Sequence, residues 1–354
     1  MVCTVKLLKD DVTRDIDTSL QATESPDGQP VTAGLSVSPC ATTGERSAIR
    51  EAATSLRERG IDCVAEEPMS RHTTYRLGGP AALMVVPNTP EGLVETLAIL
   101  AVHEVPVIVV GGGSNLLVAD EGVCAAVIKL GHGFRQLEVD GTRITAGGAC
   151  SLAQVAAAAR NHGLTGLEFA AGIPGTVGGA VAMNAGSRDR WMNSIVRTVT
   201  TVSLPGVDGG APPALDRRTG SSITWGYRST DLRDRAVICE VTLDLAHGSA
   251  DDIARVIGAA AARRRDTQPI GQPNAGSVFK NPPNDSAGRL IEAAGLKGFS
   301  IGGAVVSPVH ANFIVAGAGA TATDVYELVG FVRGKVVADF GVELSPEIRF
   351  VGRF

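Results

Sequence analysis

The sequence predicts an α+β protein of two domains, a larger one over residues 67–249 and a smaller one over 250–354. Three observations predict it. Segments of helical apolar spacing alternate with short runs of strand period along most of the chain. Two glycine-rich runs, 111–115 and 166–186, interrupt that alternation where packing alone does not call for glycine. The pattern then changes near Ala250, where a long helical segment begins.

Residues 1–44 are rich in Thr, Ser, Asp, Gly and Pro with little apolar periodicity, which predicts a disordered extension. Residues 45–66 form an N-terminal helix and lead-in. Ala48, Ile49, Ala52 and Leu56 recur at helical spacing over 45–59, and Gly60 stands where a left-handed cap ends the helix. A second helix is predicted over 91–102. It leads into Val107, Ile108, Val109 and Val110, an apolar run read as a buried strand that ends in a tight loop. Strands follow at 125–129 and 143–146, and Ser151 caps a helix over 152–161 that stops at Gly163. Clear alternation marks strands at 196–203 and 237–245, with a Pro- and Gly-rich stretch, 204–215, between them. Beyond Ala250 come a helix through Arg265, a loop to Asn274, a short helix at 287–294, a strand at 312–315, a helix at 324–339 and a last strand at 346–351. Arg263, Arg264 and Arg265 suit the end of their helix, where cations meet the macrodipole favourably. No repeat of fixed period is present.

With 354 residues, 44% of them hydrophobic and 19% charged, the chain has the composition of a globular protein with a large core. A net charge of −5 and the lack of a basic stripe argue against nucleic acid as a partner. Cys3, Cys40, Cys63, Cys124, Cys150 and Cys239 form no C-x-x-C pair, so reduced thiols are expected, with no zinc or other metal site and no disulfide framework. The N-terminus lacks a signal-peptide core, and no apolar segment is long enough to span a bilayer. A cytoplasmic protein without a membrane partner is expected.

The longer glycine run reads G-L-E-F-A-A-G-I-P-G-T-V-G-G-A-V-A-M-N-A-G and the shorter one G-G-G-S-N. Gly172, Gly175, Gly178 and Gly179 cost backbone entropy on folding, so they are expected where φ is positive or where backbone meets a ligand without intervening side chains. Ordinary turns are the alternative. Neither run holds G-x-x-x-x-G-K-[ST], nor a G-x-G-x-x-G that opens a helix ahead of an acidic residue. Taken together, the two runs predict a cradle for one large phosphate-bearing ligand.

Further motifs are H-T-T-Y-R-L-G-G at 72–79, Tyr227-Arg228-Ser229, G-S-V-F-K-N-P at 276–282 and Pro346-Glu347-Ile348-Arg349. With the glycine runs, and in this order over about 67–352, they closely resemble the UDP-N-acetylenolpyruvoylglucosamine reductases. The resemblance implies an FAD-binding domain of the vanillyl-alcohol-oxidase (PCMH) type over 67–249, made of two α+β subdomains, and a C-terminal α+β substrate-binding domain over 250–354. The short segment from Tyr227 to Ser277 resembles the family's shorter form, which lacks an inserted tyrosine-bearing loop. The implied activity is NADPH-dependent, FAD-mediated reduction of UDP-N-acetylglucosamine enolpyruvate to UDP-N-acetylmuramate, a step of peptidoglycan and cell-wall synthesis and so of cell shape and division. A monomer or weak oligomer is expected. FAD is expected to be noncovalent, because the glycine runs offer no His or Cys for attachment. Two rivals remain: a paralogous flavin reductase for another enolpyruvyl nucleotide, for which Ala81-Ala82 in place of the family's frequent Ala-Asp leaves room, and a catalytically silent flavin-binding protein.

In that family the hydride passes from NADPH to FAD and then to the terminal alkene carbon, so negative charge develops on the next carbon and spreads into the carboxylate. The resemblance places Arg228 and Glu347 at that carboxylate and gives Ser277 the proton for the carbanionic carbon. Chemistry supports these types: a guanidinium stays charged and pairs with carboxylate, a carboxyl beside another carboxylate must be protonated or held by a cation, and a weak hydroxyl acid can protonate a strongly basic carbon. An ion pair, a turn residue and a surface carboxylate are their respective dull alternatives. The FAD pyrophosphate needs backbone N–H groups in concave loops, which assigns Gly111, Gly112, Gly113, Ser114, Asn115, Gly172, Gly175, Thr176, Gly178 and Gly179 to the cofactor. Arg76 is placed near the flavin, with a surface ion pair as its alternative. Tyr227 is placed at the substrate or in the core. Lys280 and Asn281 are placed at the nucleotide phosphates, with a solvated Lys280 as alternative, and His310 is read as structural.

Overall fold

The computed structural model describes residues 42–187 and 190–354. The extension expected over 1–44 therefore lies outside the described residues except for its last three, and those begin a helix. Thr42 caps α1 (Thr43–Glu58) through a capping box with Glu45, and Gly60, at φ 70°, turns the chain after it. Ile49, Ala52, Ala53 and Leu56 form the buried stripe that the spacing predicts.

That stripe covers one face of the first sheet. β1 (Asp62–Pro68) pairs antiparallel with β2 (Pro80–Val86), α2 (Pro90–Val102) crosses to β3 (Val107–Val109), and β4 (Leu116–Val118) leaves the sheet before β5 (Val123–Ile128) returns to it. The order is β1-β2-β5-β3, with β5 parallel to both neighbours. All six residues of β5 are buried, as a central parallel strand covered on both faces requires. β3 departs from expectation. It is an edge strand, and Val109 is 36% exposed because its outer face borders an open cleft.

The second sheet is antiparallel: β6 (Leu137–Asp140), β7 (Arg143–Gly147), β8 (Val196–Ser203), β9 (Leu215–Thr219) and β10 (Ala236–Asp244), in the order β9-β8-β10-β7-β6. Between β7 and β8 run α3 (Leu152–Asn161), capped by Ser151 with Gln154, and the short α4 (Val177–Ala182). Nothing in the run announces α4: at six residues it is under two turns long, too short for the buried Val177 and Val181 to read as a stripe. It packs on β10 and its N-cap is Thr176, whose hydroxyl accepts from Gly179 N–H.

The last unit holds α5 (Ala250–Thr267), α6 (Ala287–Ala293), an antiparallel sheet of β11 (Ser300–Ile301), β12 (Ala304–Val306) and β13 (Ile314–Ala316), then α7 (Ala322–Phe340) and β14 (Arg349–Val351). β14 pairs parallel with β4, so the chain's end returns to the first domain. Tyr75 and Leu117, from that domain, are buried in the C-terminal core. The strand expected at 312–315 starts two residues later because Asn312 turns inward, and only 349–351 of the expected 346–351 strand belong to a sheet. Arg264 is more than a dipole partner: it is half-buried, with its guanidinium laid against Gly172. Cys63, Cys150 and Cys239 are free thiols, but Cys124 is disulfide-bonded, contrary to the expectation of thiols throughout.

Candidate active site

The two glycine runs meet. A Cβ on Gly112 would stand 2.6 Å from the Gly175 Cα, and one on Gly113 would stand 1.9 Å from the His72 carbonyl oxygen while its φ of 64° already excludes most side chains. Ser114 Oγ donates to the Pro174 carbonyl at 3.3 Å, which ties the loops together. In front of them lies a cleft with about 970 Å³ of empty space, part of it open to solvent, between β3 and β10. Gly111, Thr176, Gly178 and Gly179 line it, whereas Gly112 and Gly175 stand behind as the wall that lets backbone come close. Gly172 and Gly175 have positive φ as expected; Gly178 does not, and instead brings α4 onto the Gly148 and Ile238 carbonyls.

Lys129, Arg135, Arg233 and Arg349 also line the cleft, against a single acid, Asp234. A narrow cleft with glycine backbone at one wall and this excess of cations fits a dinucleotide with a diphosphate, such as FAD.

Arg228 meets Glu347, two residues along the chain from Arg349 of the cleft lining. Arg228 Nε lies 2.9 Å from Glu347 Oε1, with both side chains largely buried, in an ionic contact that lacks the alignment of a good hydrogen bond. Arg228 Nη1 is buried without a hydrogen-bond partner. Arg228 occupies the turn of a tiny hairpin, paired at Trp225↔Thr230 and Gly226↔Ser229, and its φ is 57°. A non-glycine residue there costs about 1–3 kcal/mol and persists only where surroundings hold it. The hold comes from α4 and the turn after it: Asn184 Nδ2 donates to Gly226 O at 3.0 Å and Thr230 Oγ1 to Ala182 O at 3.1 Å. The Tyr227 ring supports the guanidinium from 5.2 Å. Burial pushes the Glu347 carboxyl above its ordinary range, while the charges of Arg228 and, further off, Lys280 pull against the rise.

The Glu347 backbone is held from two distant stretches of chain. Its N–H donates to Val278 O at 2.7 Å, and Asn115 Nδ2 donates to its carbonyl at 3.0 Å. Ser277, half-buried, immediately precedes Val278, and Lys280 N–H bonds Ser345 O. The Ser277 segment is itself fixed by Asn312, which donates from Nδ2 to Phe279 O at 2.8 Å and accepts from Phe279 N–H at 2.9 Å. The fold thus gathers Arg228, Ser277, Glu347, Lys280 and Asn115 from distant stretches of chain. Tyr227 is 41% exposed, beside Trp191, and does not belong to the core. Asn281 Oδ1 accepts from Ala287 N–H and so braces the start of α6. Arg76 is exposed, at φ 57°, with no ion pair among the described residues and outside the cleft lining. His310 is structural: Nδ1 accepts from Asn312 N–H, and burial lowers its proton affinity.

Sequence reasoning passed over Asn312, Lys129, Arg135, Arg233, Asp234 and Arg349. Only Arg349 carried a signal, since residue i+2 of an extended segment points to the side of Glu347.

Comparison with known proteins gives the family and its domains. Residues 268–351 match the model of the UDP-N-acetylenolpyruvoylglucosamine reductase C-terminal domain, and residues 81–209 match an FAD-binding domain. The chain is similar to the UDP-N-acetylenolpyruvoylglucosamine reductase of Heliobacterium modesticaldum, 46% identical over 81% of this chain and 90% of that one. It is similar to that of Anoxybacillus flavithermus at 44%, over 84% of this chain and 97% of the relative. The crystal structure of the reductase from Thermus caldophilus, 35% identical, superposes on 82% of this chain and 98% of its own with a TM-score of 0.69.

Proposed function

The chain belongs to the UDP-N-acetylenolpyruvoylglucosamine reductase family, and from that premise we propose that Arg228, Glu347 and Ser277 are the groups with which it performs the family's reaction. It is an FAD-dependent oxidoreductase that reduces the enolpyruvyl ether of UDP-N-acetylglucosamine to UDP-N-acetylmuramate for peptidoglycan synthesis, drawing on NADPH. FAD, when bound, supplies the hydride. The residues present to hold it are the paired glycine runs, Thr176 and the cations of the cleft lining.

The chain's own groups manage charge. Arg228 directs its unpartnered Nη1 edge at the substrate carboxylate, into which negative charge spreads when the alkene accepts hydride. Glu347, its proton affinity raised by burial, takes up a proton more readily than an ordinary carboxylate, and in that form donates a hydrogen bond to the substrate carboxylate where an ionised side chain would repel. Ser277 gives its hydroxyl proton to the carbanionic carbon; a hydroxyl is a weak acid, so it acts only once that strong base exists. Lys280, close enough to act on Glu347, adds positive charge there, and Tyr227 holds Arg228 in place. We further read the enzyme as cytoplasmic, where its nucleotide substrates are, and as a monomer or weak oligomer without nucleic-acid partners, in keeping with its net charge of −5.

The observation that carries these roles is the buried Arg228–Glu347 contact, with a guanidinium edge left over. Stopped-flow spectroscopy tests them by following flavin reduction by NADPH and reoxidation by the enolpyruvyl substrate separately. Ser277→Ala is expected to keep the first rate and slow the second by roughly 10²–10⁴-fold, the usual contribution of a positioned proton donor. Unchanged reoxidation removes Ser277 from its role.

A further inference from the structure

We infer that Arg349 and Arg233, with Asp234 fixing Arg349 in position, form the seat for the negative charge that the redox ring takes up, and so set its reduction potential. The inference rests on the family's use of FAD and goes beyond a grip on the cofactor to how two of the cleft's cations tune it.

The cations of the cleft lining differ in what stands next to them. Lys129 follows the last residue of β5 beside Val110 and Gly111, whereas Arg349 N–H bonds the Asn115 carbonyl and lies two residues from Glu347. Hydride must reach an alkene held at Arg228 and Glu347, so the redox ring belongs beside Arg349, the lining cation nearest Glu347 in the chain. There, Arg349 Nη1 donates to Asp234 Oδ1 at 2.7 Å, and Arg233 Nε stands 3.6 Å from Asp234 Oδ2. Asp234 itself has a φ of 63°, outside the range most residues adopt. Nε of both arginines is buried without a hydrogen-bond partner among the described residues. Burial, and then the like charge of Arg349, weaken the hold of Arg233 on its proton.

Among the described residues, two guanidiniums against one carboxylate leave one positive charge uncompensated. Such a surplus in a desolvated place is costly unless an anion arrives to meet it. The chemistry supplies one. In accepting hydride from NADPH, two electrons and one proton, the neutral ring gains one unit of negative charge, and the nicotinamide departs as a cationic pyridinium. A fixed surplus positive charge beside the ring therefore favours its reduced form over its oxidised form, which makes reduction by NADPH more complete.

Redox titration of the FAD-loaded protein against an indicator dye, together with dissociation constants for oxidised FAD, tests this. Arg349→Met is expected to weaken binding of the reduced cofactor about tenfold more than that of the oxidised one, which lowers the midpoint potential by about 30 mV for a two-electron couple. Arg233→Met shifts it in the same direction. Asp234→Asn, which keeps an acceptor for Arg349 but removes the carboxylate charge, shifts it the opposite way. If Arg349→Met fails to fold or to hold FAD, the remaining two variants still give the opposed signs. Midpoints that stay unchanged overturn the inference, as does a shift of all variants in one direction, or an equal loss of both redox forms, which marks the arginines as a diphosphate grip. Wild-type protein that cannot be loaded with FAD counts instead against the family's cofactor in this chain, and is read from its colour before any titration.

Discussion

Replacing Arg228 by methionine isolates the largest electrostatic contribution at the site. Its guanidinium is largely buried 2.9 Å from Glu347 and has a buried Nη1 to spare, so it acts on the substrate carboxylate where water screens little. Loss of one such donor at a developing oxyanion costs about 3–4 kcal/mol, a factor of roughly 10²–10³ in rate. A second effect adds to it. Arg228 is the main group pulling the Glu347 proton affinity down, so its removal lets that affinity rise further and leaves the carboxyl protonated over a wider pH range. The variant keeps a carboxyl that protonates more readily beside the substrate carboxylate but loses the cation. In stopped-flow experiments, flavin reduction by NADPH should proceed at nearly the wild-type rate, while reoxidation by the enolpyruvyl substrate slows by that factor. Arg228→Lys should recover part of the loss, as a point charge without the paired N–H geometry. Refutation is a reoxidation rate within tenfold of wild type, or equal slowing of both half-reactions, either of which makes Arg228 a structural ion-pair residue.

Other outcomes follow from the same geometry. Glu347→Gln changes pH-dependent stability with a definite sign: a carboxyl whose folded proton affinity is raised stabilises the fold below its unfolded value, near 4.5, and that contribution is lost as pH climbs through the raised value. The melting temperature of the glutamine variant relative to wild type should therefore increase from acid to neutral pH; a flat difference dismisses the buried carboxyl. Gly112→Ala places a methyl 2.6 Å from Gly175 Cα, a clash of two backbones that costs about 1–3 kcal/mol, and the purified variant should carry less FAD by absorbance than wild type. Asp120 accepts from Ala322 N–H at 2.8 Å, Thr323 N–H at 2.9 Å and Thr323 Oγ1 at 2.8 Å, and so pins α7 to the loop after β4. Asp120→Ala should lower stability by roughly 1–2 kcal/mol in chemical denaturation, like the loss of a helix cap, with FAD spectra unaltered in the folded protein.

Elements whose residues declare themselves locally were legible. α1, α3 and α7 each carry a side-chain cap and a buried stripe at helical spacing, and each appears within a few residues of its expected place. β8 and β10 were legible from alternation. β1 and β2 carried no clear signal, and α4 was hidden because fewer than two turns give no periodic pattern. The candidate site shows the same division. Arg228, Ser277 and Glu347 were named from short motifs, yet their distances are set by partners far away in sequence.

The sequence by itself determined where glycine must stand, which residue types were available for charge and proton handling, and the capped helices, because each depends on residues within a few positions of one another. Tertiary structure alone decided that Glu347 is buried against Arg228, that Asn312 fixes the Ser277 segment, and that Arg233, Asp234 and Arg349 share the cleft lining. Burial and charge proximity are sums over neighbours that only folding assembles, so proton affinities and electrostatic fields have no local code in the chain.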